Sequence, residues 1–410
     1  MLRMAGPGLL VSVGYMDPGN WATDIEAGSR YGFTLLWVVV ASSIAAMLLQ
    51  TLSLRLGLVA RLDLARACRA RYSVPVNRFL WITAEIAIVA CDVAEVLGSA
   101  LALHLLIRVS ILAGIAITAL DTLLVLGLQG KGFRQVEAIV LGLVATIGVC
   151  FAIELAMVHL DWHQMLLGLA PRPDIWRDRS QLFLAVGILG ATVMPHNLYL
   201  HSSIVQTRNF ANDERSRQQA IRLSTADTVV SLSLALAVNA AILTLAAAAF
   251  HSTGHQAVAD IQDAYHLLDP LAGGALASII FGIALLASGQ SSTFTGTIAG
   301  QILLEGFLEL RMPCWKRRVI TRGLALVPAF FGVWLLGAAG IGQLLVCSQV
   351  ALSFQLPFAI WPLIQLTSDP KVMGGRHANG LTTKAIAWTL FVLITAANIW
   401  LVGRLLQPTA

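Results

Sequence analysis

The chain has 410 residues, 57% of them hydrophobic and only 12% charged, with a formal net charge of +5. A soluble globular domain carries about 25% charged residues, so the composition excludes one and predicts an all-α polytopic membrane protein whose standing partner is the lipid bilayer. No basic run is interleaved with aromatic residues, which argues against nucleic acid as a partner.

In chain order, eleven apolar stretches are long enough to cross roughly 30 Å of hydrocarbon. They fall at 4–30, 33–54, 79–104, 109–129, 134–157, 181–206, 223–250, 271–307, 319–336, 341–366 and 383–405. Lys and Arg are retained on the cytoplasmic side. With the N-terminus inside, 21 of the 27 basic residues are cytoplasmic, so the C-terminus is expected outside. The first run lacks a small-residue cleavage site and reads as a span, not a signal peptide. The five cysteines (Cys68, Cys91, Cys150, Cys314 and Cys347) show no CxxC spacing, and no disulfide is expected. The whole chain, 1–410, reads as one membrane domain.

The first stretch is broken by Asp17-Pro18-Gly19-Asn20. Proline removes a backbone donor and clashes with the preceding turn, and an Asp at the bilayer centre costs about 2.5–3.5 kcal/mol on insertion scales. A kink alone needs no carboxylate. The sixth stretch is broken by Met194-Pro195-His196-Asn197, and both breaks read x-Pro-x-Asn. They open two possible five-span halves, 1–158 and 181–366, with 383–405 left as an eleventh helix. An odd repeat length inverts the second half, and paired interrupted helices point to a transporter site at the midplane.

The groups at the breaks suit a metal ion. Asp17 offers a hard anionic oxygen, Asn20 an amide oxygen, and the unwound backbone before Met194 frees carbonyls. The Met194 thioether is soft, which favours transition metals over calcium and magnesium.

The third stretch carries Glu85, Asp92 and Glu95 along one helical stripe, a pattern suited to a proton relay. Internal pairing with an arginine such as Arg322 is compatible with that role. His196 and His201 lie five apart in the sixth span. They suit a proton path, with a buried structural role as the rival. The absence of HExxH argues against an intramembrane protease. The hydroxyl-rich run Gln290, Ser291, Ser292, Thr293, Thr295 and Thr297 reads as helix packing. In the 251–269 loop, Asp260, Asp263, His266 and Asp269 recur every three residues, as on a solvated amphipathic face.

Five motifs in order resemble the Nramp family (natural resistance-associated macrophage proteins): Asp17-Pro-Gly-Asn20, Met194-Pro-His196, AEIAIVACDVAEVLGSA at 84–100, GQSSTFTGTIAGQILLEGF at 289–307 and SQVALSFQLPFAIWPL at 348–363. The resemblance implies a LeuT-like inverted five-helix repeat with helices 1 and 6 broken. It also implies metal ligands at Asp17, Asn20, Met194 and the carbonyl of Ala191, joined by Gln349 in some conformations. It places His196 and His201 near the proton route and suggests Arg322 as a carboxylate partner, without excluding Arg317 or Arg318. A magnesium-transporting branch lacks the methionine, so its presence points to manganese or iron.

The expectation is a secondary importer of Mn2+ or Fe2+ coupled to proton co-transport, not an enzyme. The metal is cargo and no cofactor is permanently bound. The protein is expected to work as a monomer in the bacterial inner membrane. The rival is a sodium-coupled amino-acid transporter of the same architecture, which would want backbone amides facing its substrate's carboxylate.

Overall fold

The computed structural model describes residues 6–120, 133–208, 210–211, 213–254, 261, 263–264, 276–337 and 340–406. Among them every regular element is helical. Among the described residues, nine helical stretches are long and apolar enough to cross a membrane by length and composition.

The first span is two helices, α1 (Pro7–Gly14) and α2 (Pro18–Tyr31), each opening on a proline. Proline suits that position because its missing N–H would have no helical partner there. A 3₁₀ turn leads into α3 (Leu36–Ala60). The 55–78 loop contains a short helix that hydropathy does not reveal, α4 (Leu64–Arg71), capped by Asp63 accepting from the Arg66 N–H at 2.8 Å. Next come α5 (Val74–Ile107), α6 (Ile111–Thr118) and α7 (Phe133–Met157). The span expected at 109–129 continues from α6 into 121–132, outside the described residues.

After a short helix, α8 (Trp162–Leu167), the sixth span is again two pieces, α9 (Arg179–Val193) and α10 (Pro195–Ile204). Long helices α11 (Glu214–Ala246), α12 (Leu276–Leu308), α13 (Cys314–Leu336) and α14 (Ile341–Ser368) follow. A single turn, α15 (Pro370–Met373), leads to α16 (Leu381–Leu406). Of the amphipathic face expected in the 251–269 loop, Asp263 is described, while Asp260, His266 and Asp269 lie outside the described residues.

Two boundaries differ from the sequence reading in a way that matters. Helix α5 begins at Val74 and α13 at Cys314, each five residues before its apolar run. Hydropathy marks only the part of a helix that sits in hydrocarbon. A helix continues past that depth as long as its backbone bonds are met. The extra turn of α13 carries Arg317 and Arg318.

Helix α5 is 34 residues long, about 51 Å at 1.5 Å per residue. It runs past α12, α13 and α14 and meets α2. Trp21 fixes α2, with its ring 4.7 Å from Phe151 on α7 and 5.3 Å from Phe281 on α12, both edge-on. Asp227 on α11 holds the start of α1, accepting from the Gly6 N–H at 3.2 Å and the Gly8 N–H at 2.8 Å.

Candidate metal site between two broken helices

Breaking a helix inside a membrane strands backbone groups that have no water to turn to. At the first break those groups find partners. The Tyr15 carbonyl accepts from Asn239 Nδ2 at 2.9 Å, and the Met16 carbonyl from Trp21 Nε1 at 3.2 Å and from Ser288. Asp17 caps α2: its Oδ1 accepts from the Asn20 N–H at 2.8 Å and from Asn20 Nδ2 at 2.7 Å.

The second break is built differently. Met194 holds φ 39° and ψ 93°, a left-handed backbone unusual for a side chain with a β-carbon, at a cost of about 1–2 kcal/mol. The residue four after Ala191 is Pro195, which has no N–H, so the Ala191 carbonyl lacks its helical donor. It accepts instead from Asn20 Nδ2 at 3.3 Å, across the gap between the two broken helices.

Hydrogen bonds join Asp17, Asn20 and the Ala191 carbonyl, Gln349 lies close to Gly19, and the Met194 sulfur lies beside Gly14 and Asn197; the five candidate residues are all at most 1% exposed. Gln349 on α14 lies against Gly19, whose missing side chain makes the approach possible. The chemistry left over is that of acceptors. Asp17 Oδ2 and Gln349 Oε1 are buried without hydrogen-bond partners, as are the side-chain oxygens of Asn197 and Asn239. Unmet buried acceptors are costly, and a cation is what such a cluster suits. The Asn20 amide nitrogen already sits between the Asp17 carboxylate and the Ala191 carbonyl as a donor; turning the amide over would present Oδ1 there instead.

Two residues in this cluster were not among the sequence candidates. Asn197 donates Nδ2 to Met194 Sδ at 3.5 Å and to the Val11 carbonyl at 3.4 Å, steadying the thioether. Its signal was available, because it stands three residues after Met194 as Asn20 stands three after Asp17. Asn239 donates to Asn20 Oδ1 at 3.3 Å from the middle of α11, where no break or motif marks it.

The α5 carboxylates face α13, with arginine partners other than the one the sequence suggested first. Arg318 pairs with Asp92 at 2.6 Å and Glu95 at 3.4 Å, and Arg317 pairs with Glu85 at 2.8 Å. Arg322 holds a lesser place, 3.7 Å from Glu95. Side-chain exposure rises along the stripe from 0% at Glu95 and 1% at Asp92 to 19% at Glu85. Thr293 joins by donating to Glu95 Oε2 at 3.1 Å, so the hydroxyl run does more than pack at that position.

The two histidines part company. His196 Nε2 lies 4.0 Å from Cys91 Sγ, beside Glu95. His201 belongs to another chain of bonds: its Nδ1 lies 3.0 Å from Gln50 Oε1 and its Nε2 3.4 Å from Thr228, while Gln50 Nε2 donates to the Tyr15 hydroxyl at 2.8 Å. Five residues turn a helix by about 140° from the starting face, which separates them.

A family model for natural resistance-associated macrophage protein-like proteins matches residues 8–404. The chain is 65% identical over 406 residues to the divalent metal cation transporter MntH of Ralstonia nicotianae, covering 99% of this chain and 92% of that one. A crystal structure of the manganese transporter of Eremococcus coleocola matches with a TM-score of 0.90 at 38% identity, covering 100% of this chain and 89% of that one. An inward-facing structure of Mhp1 shares the fold, with a TM-score of 0.60 at 12% identity over 97% of this chain and 88% of that one. The chain belongs to the natural resistance-associated macrophage protein-like (Nramp) family.

Proposed function

We propose that the protein imports a divalent transition metal ion, Mn2+ or Fe2+, together with protons. In this reading it has eleven membrane helices in an inverted five-helix repeat of the LeuT type. The N-terminus is cytoplasmic, the C-terminus is outside, and one chain suffices for transport in the bacterial inner membrane. The observation that carries the reading is the enclosure of a carboxylate, two amides, a main-chain carbonyl and a thioether between two broken helices. The relatives named as divalent metal cation and manganese transporters support it.

The ion sits between Asp17, Asn20, the Ala191 carbonyl and Met194, with Gln349 closing from α14. Asp17 supplies the only formal charge. Met194 discriminates against calcium, since sulfur gains nothing from a hard ion. The Asn20 amide turns over as the ion enters. Protons pass by His196 to Glu95, Asp92 and Glu85, where exposure to the cytoplasmic side increases. Each carboxylate keeps an arginine beside it, so a proton can leave without stranding a charge.

The amino-acid transporter reading would place a substrate carboxylate against Asp17, and like charges at such a site repel. Uptake of Mn2+ and Fe2+ into proteoliposomes with an imposed pH gradient tests the proposal, with Asp17→Ala beside the wild type. Metal uptake that acidifies the lumen in the wild type and vanishes in the variant is expected. Sodium-driven amino-acid uptake without metal uptake would overturn it.

A further inference from the structure

Helices α5, α14 and α16 leave a groove of about 650 Å³ between them, away from the two breaks. That volume falls within the roughly 300–1,000 Å³ of small-molecule sites. Val76 and Leu80 of α5, Phe354 and Trp361 of α14, and Phe391 and Val402 of α16 are among its lining. The spacing of two of the walls is set by a hydrogen bond. Pro357 in α14 has no N–H for the Ser353 carbonyl, and Asn398 Nδ2 on α16 donates to that carbonyl instead, at 3.0 Å.

The groove has one polar end. On α16, Lys384, Trp388, Phe391, Thr395, Asn398 and Val402 recur at steps of four and three, which is one face of a helix. The last four of them line the groove. Lys384 therefore heads the same stripe, at the end where α14 gives way to α15 and α16. Arg71 stands at that end too, exposed and 4.0 Å from Asp369. Beside these cations are rings with polar edges. Trp361 and Trp388 are centred 5.1 Å apart, and the Tyr72 hydroxyl donates to Gln365 Oε1 at 2.6 Å. Trp and Tyr favour the level of lipid headgroups.

From Phe391 to Val402 the apolar slot runs about 16 Å at 1.5 Å per residue. That is about half of the roughly 30 Å of hydrocarbon. It is long enough for one acyl chain to lie as deep as a single leaflet, and too short to seat a partner's membrane helix over its full length. The cations at its head call for an anion.

We propose that the groove seats one acyl chain of an anionic phospholipid, whose phosphate lies against Lys384 and Arg71. Assigning that lipid to the cytoplasmic leaflet rests on the orientation proposed above; the site itself does not. Each cation near the membrane surface favours an anionic headgroup by about fivefold in affinity, and the slot supplies the part of the binding that does not depend on charge.

The test uses purified, delipidated full-length protein in detergent, titrated with dioleoyl phosphatidylglycerol, dioleoyl phosphatidylcholine or sn-glycerol 3-phosphate. Native mass spectrometry counts bound lipid, and the melting temperature follows its effect. One phosphatidylglycerol should bind per monomer and raise the melting temperature. Lys384→Gln and Arg71→Gln should each weaken phosphatidylglycerol by about fivefold and leave phosphatidylcholine unchanged. Ile399→Trp fills the slot from an exposed lining position and should lose the bound lipid; Val402→Trp is the second variant if that protein aggregates. Equal binding of both lipids that survives Lys384→Gln and the tryptophan variant would mark an ordinary annular shell and overturn the proposal. Protection by glycerol phosphate alone would overturn it as well, since the groove would then have no part. So would a dimer that binds no lipid. Transport is not measured, so none of these failures touches the importer reading.

Discussion

Gly19 and Gln349 meet with no room for a methyl group between them: a β-carbon on residue 19 would stand 1.8 Å from the Gln349 amide nitrogen and 2.3 Å from its Cδ. The contact brings α14 onto the first break. Gly19→Ala should push the Gln349 side chain away from the metal site at an overpacking cost of about 1–3 kcal/mol. Mn2+ affinity by calorimetry should fall by about tenfold or more, with the protein still monodisperse. Unchanged affinity would mean that Gln349 swings aside freely and that the contact has no part in binding.

Met194→Ala asks about selectivity. Without the thioether the remaining shell is carboxylate, amide and carbonyl oxygen, a hard shell suited to calcium. Cadmium uptake should suffer most and manganese less, and calcium should begin to compete. The measurement is Mn2+ uptake against rising Ca2+, wild type beside variant. Equal indifference to calcium in both would reduce Met194 to a packing residue.

Arg318→Met leaves Asp92 and part of Glu95 buried without their cation. Removing one partner of a buried pair costs about 3–5 kcal/mol, so the variant should melt well below the wild type in detergent. Adding Asp92→Asn should recover part of the loss, because the stranded charge is then gone. A double variant no more stable than the single would show that Arg318 stabilises α13 by packing instead.

His196→Ala should slow uptake at a fixed pH gradient more than it weakens Mn2+ binding. The ring lies beside Cys91, whose sulfur also approaches Glu95, and Met194 two residues earlier keeps its place through Asn197. Comparing lumen acidification with the calorimetric Kd separates the two effects. If binding falls as steeply as uptake, His196 belongs to the metal site.

The sequence announces both breaks because proline, glycine and an acid are expensive in hydrocarbon and therefore conspicuous there. Asp17, Asn20 and Met194 lie at those breaks, so local chemistry finds them. Arg318 is another matter. The apolar run starts at 319, which puts Arg317 and Arg318 in a loop on paper; only the longer α13 brings them to α5. Arg322 lies one turn further along the same face as Arg318, and nothing local ranks the two. Asn239 interrupts no pattern at all. Its importance comes from crossing to Tyr15 and Asn20 on a helix more than two hundred residues away in sequence, which no window along the chain can reveal.

The Ala191 carbonyl is exposed to the gap because Pro195, four residues on, has nothing to give it. That oxygen belongs to the main chain, so no replacement of the alanine side chain can convert it into another kind of donor. In the proposed site, side-chain substitution retunes the metal preference through Asp17, Asn20, Met194 and Gln349. The carbonyl itself can be withdrawn at a distance, by any residue at 195 that restores an N–H and lets the helix heal. One part of the proposed coordination sphere is thus inherited through its neighbour, and a single codon four places away decides whether that carbonyl is free.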